Sequence, residues 1–195
     1  DILYIGFENT GIARYNITSQ QWLTAWDGSQ GYIDDDDVTA LVPGISPGTI
    51  WAGGDFGLTL IDVVNDLVLI EWNRGANPGG PTLSNNVPAD IEIYGDILHY
   101  SEQRGSQRDN IYRVNLSTNS SLSTLDAGNQ AGFSGSTYGI GTVGDQLWIG
   151  VASTSWWQDD SEGTIVRWNM TSQIWEDNLP TIGNVLRVNA RFLGD

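Results

Sequence analysis

The chain has 195 residues, with 24 acidic side chains, 8 basic ones, one histidine and no cysteine, which describes one domain or a part of one. Its formal charge of −16 is set against basic residues that are all arginine; this excludes a nucleic-acid partner, since phosphate backbones are held by clustered cations that release counterions, and it opposes anionic membrane surfaces. The missing cysteines remove disulfide scaffolds, cysteine–zinc sites and thiol nucleophiles.

Apolar residues make up 39% of the chain and include nine Trp, enough for a packed core and too many for a disordered acidic tail. No apolar run approaches the roughly 18 residues of a membrane span, so membrane insertion is not expected. The chain opens at Asp1 rather than Met, which leads us to expect a processed or shortened N-terminus.

In chain order, the first elements are four strand-like runs that recur. Leu3-Tyr4-Ile5-Gly6, Ile50-Trp51-Ala52-Gly53, Leu98-His99-Tyr100-Ser101 and Leu147-Trp148-Ile149-Gly150 start 47, 48 and 49 residues apart. After each comes a second run ending in Asx: Ile12 to Asn16, Leu58 to Asp62, Ile111 to Asn115 and Ile165 to Asn169. Three of these carry Arg two residues before the Asx, at Arg14, Arg113 and Arg167. A third run follows at Gln21 to Leu23, Leu67 to Ile70, Ser121 to Ser123 and Ile174-Trp175. The fourth comes after a polar loop, at Val38 to Leu41, Ile91 to Tyr94, Thr137 to Ile140 and Val185-Leu186-Arg187-Val188.

Four short strands per unit, Trp and β-branched residues in the runs, Gly and Asx in the turns, and no helical period predict an all-β protein built as a β-propeller of four-stranded antiparallel blades. The repeats fall at about residues 1–48, 49–96, 97–145 and 146–195, within a single propeller domain or propeller segment. The register starts at a blade's second strand, so the last run, 185–193, is free to join the first blade. A closed four-blade ring, half of a larger ring made by two copies, and a piece of a longer propeller all satisfy this phase.

These residues resemble the two-component-regulator propeller repeats. The resemblance rests on Asp36-Asp37-Val38 leading to Gly48-Thr49-Ile50-Trp51-Ala52-Gly53 and Gly57-Leu58, on Asn85-Asn86-Val87 leading to Gly95-Asp96-Ile97-Leu98, and on Gly144-Asp145-Gln146-Leu147-Trp148-Ile149-Gly150 with Gly183-Asn184-Val185. It covers the whole chain and implies a sensor ectodomain, extracellular, on the cell surface or periplasmic, associated with polysaccharide-derived ligands.

Labelling the strands of a blade a to d from the axis outward, antiparallel order puts the b–c loops and the d-to-a loops on one face. From the Gly6 position to the Asx the separations are 10, 9, 14 and 19 residues, so the b–c loop grows in the third and fourth repeats, and insertions on one face of a repeat protein mark its binding face. The fourth insertion carries Trp156 and Trp157 followed by Asp159, Asp160 and Glu162, a pattern suited to stacking on sugar rings while carboxylates accept hydroxyl hydrogen bonds. A Trp tucked between blades with solvated acids is the alternative. The third insertion carries Arg104 and Arg108, which could clamp an acidic group on a glycan or pair with Glu102 and Asp109.

The acidic run Asp34, Asp35, Asp36 and Asp37 lacks the Gly and closing Glu of an EF-hand. It reads as a turn device before Val38, with calcium at Asp34 and Asp35 left open; no other cofactor is expected. Sequons at Asn16, Asn115, Asn119 and Asn169 largely coincide with the repeat's own c–d turn, which explains them without sugar.

His99, the only imidazole, holds the strand position of Tyr4, Trp51 and Trp148, which predicts packing rather than acid–base work. With no phosphate loop, nucleophile elbow or His-based metal motif, the expected function is a binding module for saccharide, not an enzyme. The competing readings are a structural or adhesive segment of a large surface protein that binds no small ligand and, third, a propeller lyase or glycoside hydrolase. A homodimer, or continuation of the chain, is the expected way to a complete ring.

Overall fold

The computed structural model describes residues 1–33, 36–75, 77–84, 87–102, 110–131, 135–153 and 163–176, with the backbone alone at 129, 135, 138 and 153. Among the described residues fifteen strands are arranged as four antiparallel sheets, each a consecutive stretch of chain. The first sheet has three strands, β1 (Ile2–Phe7), β2 (Gly11–Asn16) and β3 (Gln21–Trp26). The second has β4 (Val38–Pro43), β5 (Thr49–Gly54), β6 (Gly57–Asp62) and β7 (Leu67–Asn73). The third has β8 (Pro88–Tyr94), β9 (Ile97–Glu102), β10 (Asn110–Asn115) and β11 (Ser120–Asp126). The fourth has β12 (Gly135–Val143), β13 (Gln146–Ser153), β14 (Gly163–Asn169) and β15 (Ile174–Trp175). One helical turn, α1 (Ala127–Ala131), joins the third sheet to the fourth.

Each sheet is a blade, and β4, β8 and β12 are neighbouring inner strands. These three inner strands carry a bulge at the same place: Thr39, Ala89 and Tyr138 have no counterpart on the adjoining b strand. A bulge frees backbone polar groups that must find partners elsewhere, and here the adjacent inner strand supplies them. Thr39 Oγ1 donates to the carbonyls of Gly53 and Pro88, and the Asp90 carboxylate accepts from the Ile140 amide at 3.1 Å. The bulge aligns Ile91 with Leu41 and Ile140 through their partners Tyr100, Ala52 and Ile149. The fourth run expected to open at Ile91 therefore starts three residues earlier, at Pro88, because its polar first half follows the inner-strand pattern of hydrogen bonds rather than of apolar residues.

The c–d turn is built the same way four times. Asn16, Asp62, Asn115 and Asn169 accept backbone N–H groups two or three residues ahead, at 2.8 to 3.1 Å. Gln20, Asp66, Asn119 and Gln173, four residues after each Asx, all take φ between 54° and 56°. The residue after each Asx donates its amide to the carbonyl of the a–b turn or its equivalent, at Asp1, Gly48, Asp96 and Asp145. Three of the four sequons are thus the first residue of a structural turn.

The core is blade-on-blade packing that draws on the inner strands, through Val38, Ala40, Ile91 and Ile140, as well as on strands b to d. Trp26, Trp72 and Leu125 occupy one position at the outer end of three blades and are buried. Gly11 and Gly57, facing the first two of them, have φ of +74° and +123°, and a Cβ there would lie 2.2 and 2.1 Å from the Trp carbonyl oxygen; only glycine meets both demands.

Candidate ligand-binding end of the blades

The three arginines of the repeat are consumed by architecture. Strand d bulges opposite Ala13 and Tyr112, and Arg14 and Arg113 each donate Nε to the carbonyl of the bulged residue, Thr24 or Ser123, at 2.8 Å. Each guanidinium then reaches the next blade, Arg14 to Asp66 at 2.9 Å and Arg113 to the face of Trp168 at 5.9 Å. Arg167 pairs with Glu176 at 3.5 Å. The aromatic b-strand residue stands opposite each arginine: Tyr4 opposite Arg14, His99 opposite Arg113, Trp148 opposite Arg167. His99 is 1% exposed, and burial, with the Arg113 charge beside it, lowers its pKa to about 4. It is a neutral packed ring.

On the b–c face, the first two connections are tight. Asp37 Oδ1 accepts from the Asn9 amide at 2.7 Å, and its carbonyl accepts from Asp55 at 3.3 Å. Asp36 Oδ1 accepts from Gly28 at 2.7 Å, and its carbonyl from Gly11 at 2.8 Å. These two acids therefore stitch the d-to-a loop to the b–c turns of both adjoining blades, the work of a turn device. Asp34 and Asp35 lie outside the described residues. Among the described residues no group of three or more His, Asp or Glu side chains is gathered to hold a metal ion.

The same face changes character at the junction of the third and fourth blades. In the first two blades the end of strand b is held open by Gly6 and Gly53, whose missing Cβ atoms make room for Val38 of the second blade and for Pro88 and Ile91 of the third. In the third blade Ser101 stands in the Gly53 position and Glu102 in the Gly54 position. The strand they face, β12, carries Ser136 and Thr137 near its start, and β14 places Thr164 opposite Val151. All five side chains are buried, at 0 to 1% exposure. The hydroxyls of Ser101 and Ser136 have no hydrogen-bond partner among the described residues, an arrangement that costs free energy unless water or a bound group completes it.

This polar floor lies at the roots of the two long b–c loops. Loop 103–109 leaves from Glu102 and returns at Asn110; loop 154–162 leaves from Ser153 and returns at Gly163. The expected site residues Arg104, Arg108, Trp156, Trp157, Asp159, Asp160 and Glu162 all fall on these two loops, outside the described residues. What the structure adds is the floor beneath their roots, which the sequence reading passed over. The signal was present: Ser101-Glu102 interrupts the Gly-Gly of Gly53-Gly54 in a register already aligned.

No protein-family model matches the chain, and no curated protein matches it. Among solved structures it is similar to the dihydro-heme d1 dehydrogenase NirN, solved in complex with DHE, at 11% identity and a TM-score of 0.60 over 96% of this chain and 36% of that one. It is also similar to the WD40 repeats of RRP9, at 10% identity and a TM-score of 0.61 over 90% of this chain and 46% of that one. Identities this low show the fold alone, and the fold is the β-propeller. The chain spans between about a third and a half of the length of these structures.

Proposed function

We propose that this propeller is a recognition module of the two-component-regulator type, acting on the cell surface, outside the cell or in the periplasm, and binding a saccharide at the b–c end of the third and fourth blades. The observation that carries the reading is a cluster of buried polar residues, Ser101 and Glu102 in the positions of Gly53 and Gly54 together with Ser136, Thr137 and Thr164, at the roots of the two loops that are long in this chain. Polar groups fixed in an apolar surround orient a hydroxyl-rich ligand, and Trp156 and Trp157 supply ring faces of the kind that stack on sugars. Arg104 and Arg108 suit an acidic sugar, with Asp159, Asp160 and Glu162 as hydroxyl acceptors.

Binding rather than catalysis is the better reading, because the one imidazole is sealed between strands as a neutral ring. The test is intrinsic Trp fluorescence titrated with neutral and acidic oligosaccharides, in calcium and in chelator, on the wild type and on the Trp156→Ala, Trp157→Ala double variant. A saturable change lost in the variant supports the saccharide site. Silence across the panel moves the assignment to a structural surface module.

A further inference from the structure

The joint between the third and fourth blades differs in kind from the one before it. Where the second blade meets the third the contact is apolar: Ala40, Trp51 and Leu58 pack with Ile91, Leu98 and Val114. Read across the second blade from strand a to strand c, one row is Val42, Trp51 and Leu60. In the third blade the same row is Glu92, His99 and Arg113. Three apolar side chains are thus exchanged for titratable or charged ones in a single line.

Both ends of this row are tied to the fourth blade. Glu92 Oε1 accepts from Thr142 Oγ1 at 2.6 Å, and Asp90, two residues back on the same face of β8, accepts from the Ile140 amide at 3.1 Å. Arg113 lies over the Trp168 ring at 5.9 Å. His99 stands between these ties, 1% exposed, and its Nδ1 has no hydrogen-bond partner among the described residues. The charged groups around it are Glu92 and Asp90 from β8 and Arg113 from β10. From the fourth blade, β12 and β13 add no titratable residue except Tyr138, and Arg167 of β14 is engaged with Trp148 and Glu176.

We propose that this joint is an acid-released latch: near neutral pH the ties of Asp90, Glu92 and Arg113 hold the fourth blade against the third, and protonation of His99 parts the two blades while each keeps its own ladder. A protonated imidazole in the closed joint stands beside the Arg113 guanidinium, a buried like-charge pair that parting relieves. Burial and the Arg113 charge lower the His99 pKa to about 4 from 6.5, so the parted form takes the proton first and acid favours parting. Glu92 works the other way, since burial raises its carboxyl and the closed form takes that proton first. The imidazole is displaced further, and the latch therefore opens in acid. Ser101, the cross-strand partner of Asp90, lies at the loop end of the same joint, so parting uncovers the polar floor. The inference does not depend on a sugar being the ligand there.

The experiment is amide hydrogen exchange resolved by NMR on the full chain at about pH 7 and about pH 5, each rate divided by the intrinsic rate at that pH. The Ile140 amide reports the joint directly, because its acceptor is on the other blade; the ladder amides of β13 and β14 report unfolding of the blade itself. In the wild type Ile140 is expected to be less protected than those ladder amides at both pH values, and to lose about tenfold in protection between them. His99→Trp is expected to abolish that loss, leaving protection level or rising in acid through Glu92 alone, and His99→Phe repeats the test should the larger ring not fold. Glu92→Gln removes the opposing group and is expected to keep the loss or steepen it. Ile140 protection that is the same at both pH values overturns the proposal, as does a loss that survives replacement of His99 or vanishes in Glu92→Gln. Exchange of Ile140 in step with the ladder amides at about pH 5 also overturns it, since the blade would then be unfolding rather than parting from its neighbour.

Discussion

Arg14 and Asp66 meet at 2.9 Å across the boundary between the first two blades, while the same guanidinium holds the bulge carbonyl of Thr24 at 2.8 Å. One side chain thus satisfies a backbone group inside its blade and ties that blade to its neighbour. The two halves of the contact differ in worth. The carbonyl bond is made by a side chain that is 11% exposed, while Asp66 is 49% exposed.

Replacing Arg14 with Leu, the residue that β6 carries at this position as Leu60, should therefore cost about 2 kcal/mol, since a charged hydrogen bond is lost and a carbonyl is left without its donor. Asp66→Ala should cost less than about 1 kcal/mol, as for other half-exposed ion pairs. Urea unfolding midpoints of the two variants check the order; equal losses would mean that the inter-blade pair dominates.

His99 makes stability depend on pH with a definite sign. Its folded pKa, about 4, lies below the ordinary 6.5, so the unfolded chain binds the proton first and stability falls as pH drops through that window. The contribution is complete above about pH 6.5, and the loss reaches roughly 3 kcal/mol by about pH 4. His99→Trp, matching Trp51 and Trp148, should flatten this part of the curve when unfolding free energies at pH 7.5 and 5 are compared with those of the wild type.

Glycine is required at some turns and merely convenient at others. Gly57→Ala should destabilise by more than about 3 kcal/mol, because its Cβ would lie 2.1 Å from the Trp72 carbonyl oxygen at a φ of +123°. Gly144→Ala, at φ +60° with open space around it, should cost only about 1 kcal/mol of left-handed strain. Thermal melts of the two variants separate the cases.

The polar floor separates stability from binding. Ser101→Ala removes a buried hydroxyl that lacks a partner among the described residues, so the fold should be unchanged or stabilised by up to about 1 kcal/mol. If the hydroxyl serves a ligand, sugar affinity should fall by about tenfold in the same variant. A stabilised protein with unaltered sugar binding would remove Ser101 from the site.

The repeat was legible because each blade meets the same demands at the same spacing. The apolar b strand recurs at 47, 48 and 49 residues and an Asx closes the c strand in every repeat, and each answers a local backbone requirement. Arg14 and Arg113 were visible as a pattern but not as a function, since the bulged carbonyls they serve belong to the partner strand and the blades they reach are a whole repeat away. The loops with Trp156, Trp157, Arg104 and Arg108 stood out by length. Ser101 and Ser136 did not, because serine in a strand is ordinary until its surroundings are known.

Sequence alone determined the propeller, its period and the face that carries the insertions, because alternation, turn chemistry and loop length are properties of consecutive residues. Only the tertiary structure decided which polar residues are burdened by burial, that His99 is held neutral, and which blade each repeat arginine reaches. Those follow from what packs beside a residue, and in a propeller that neighbour comes from the next blade, some fifty residues along the chain.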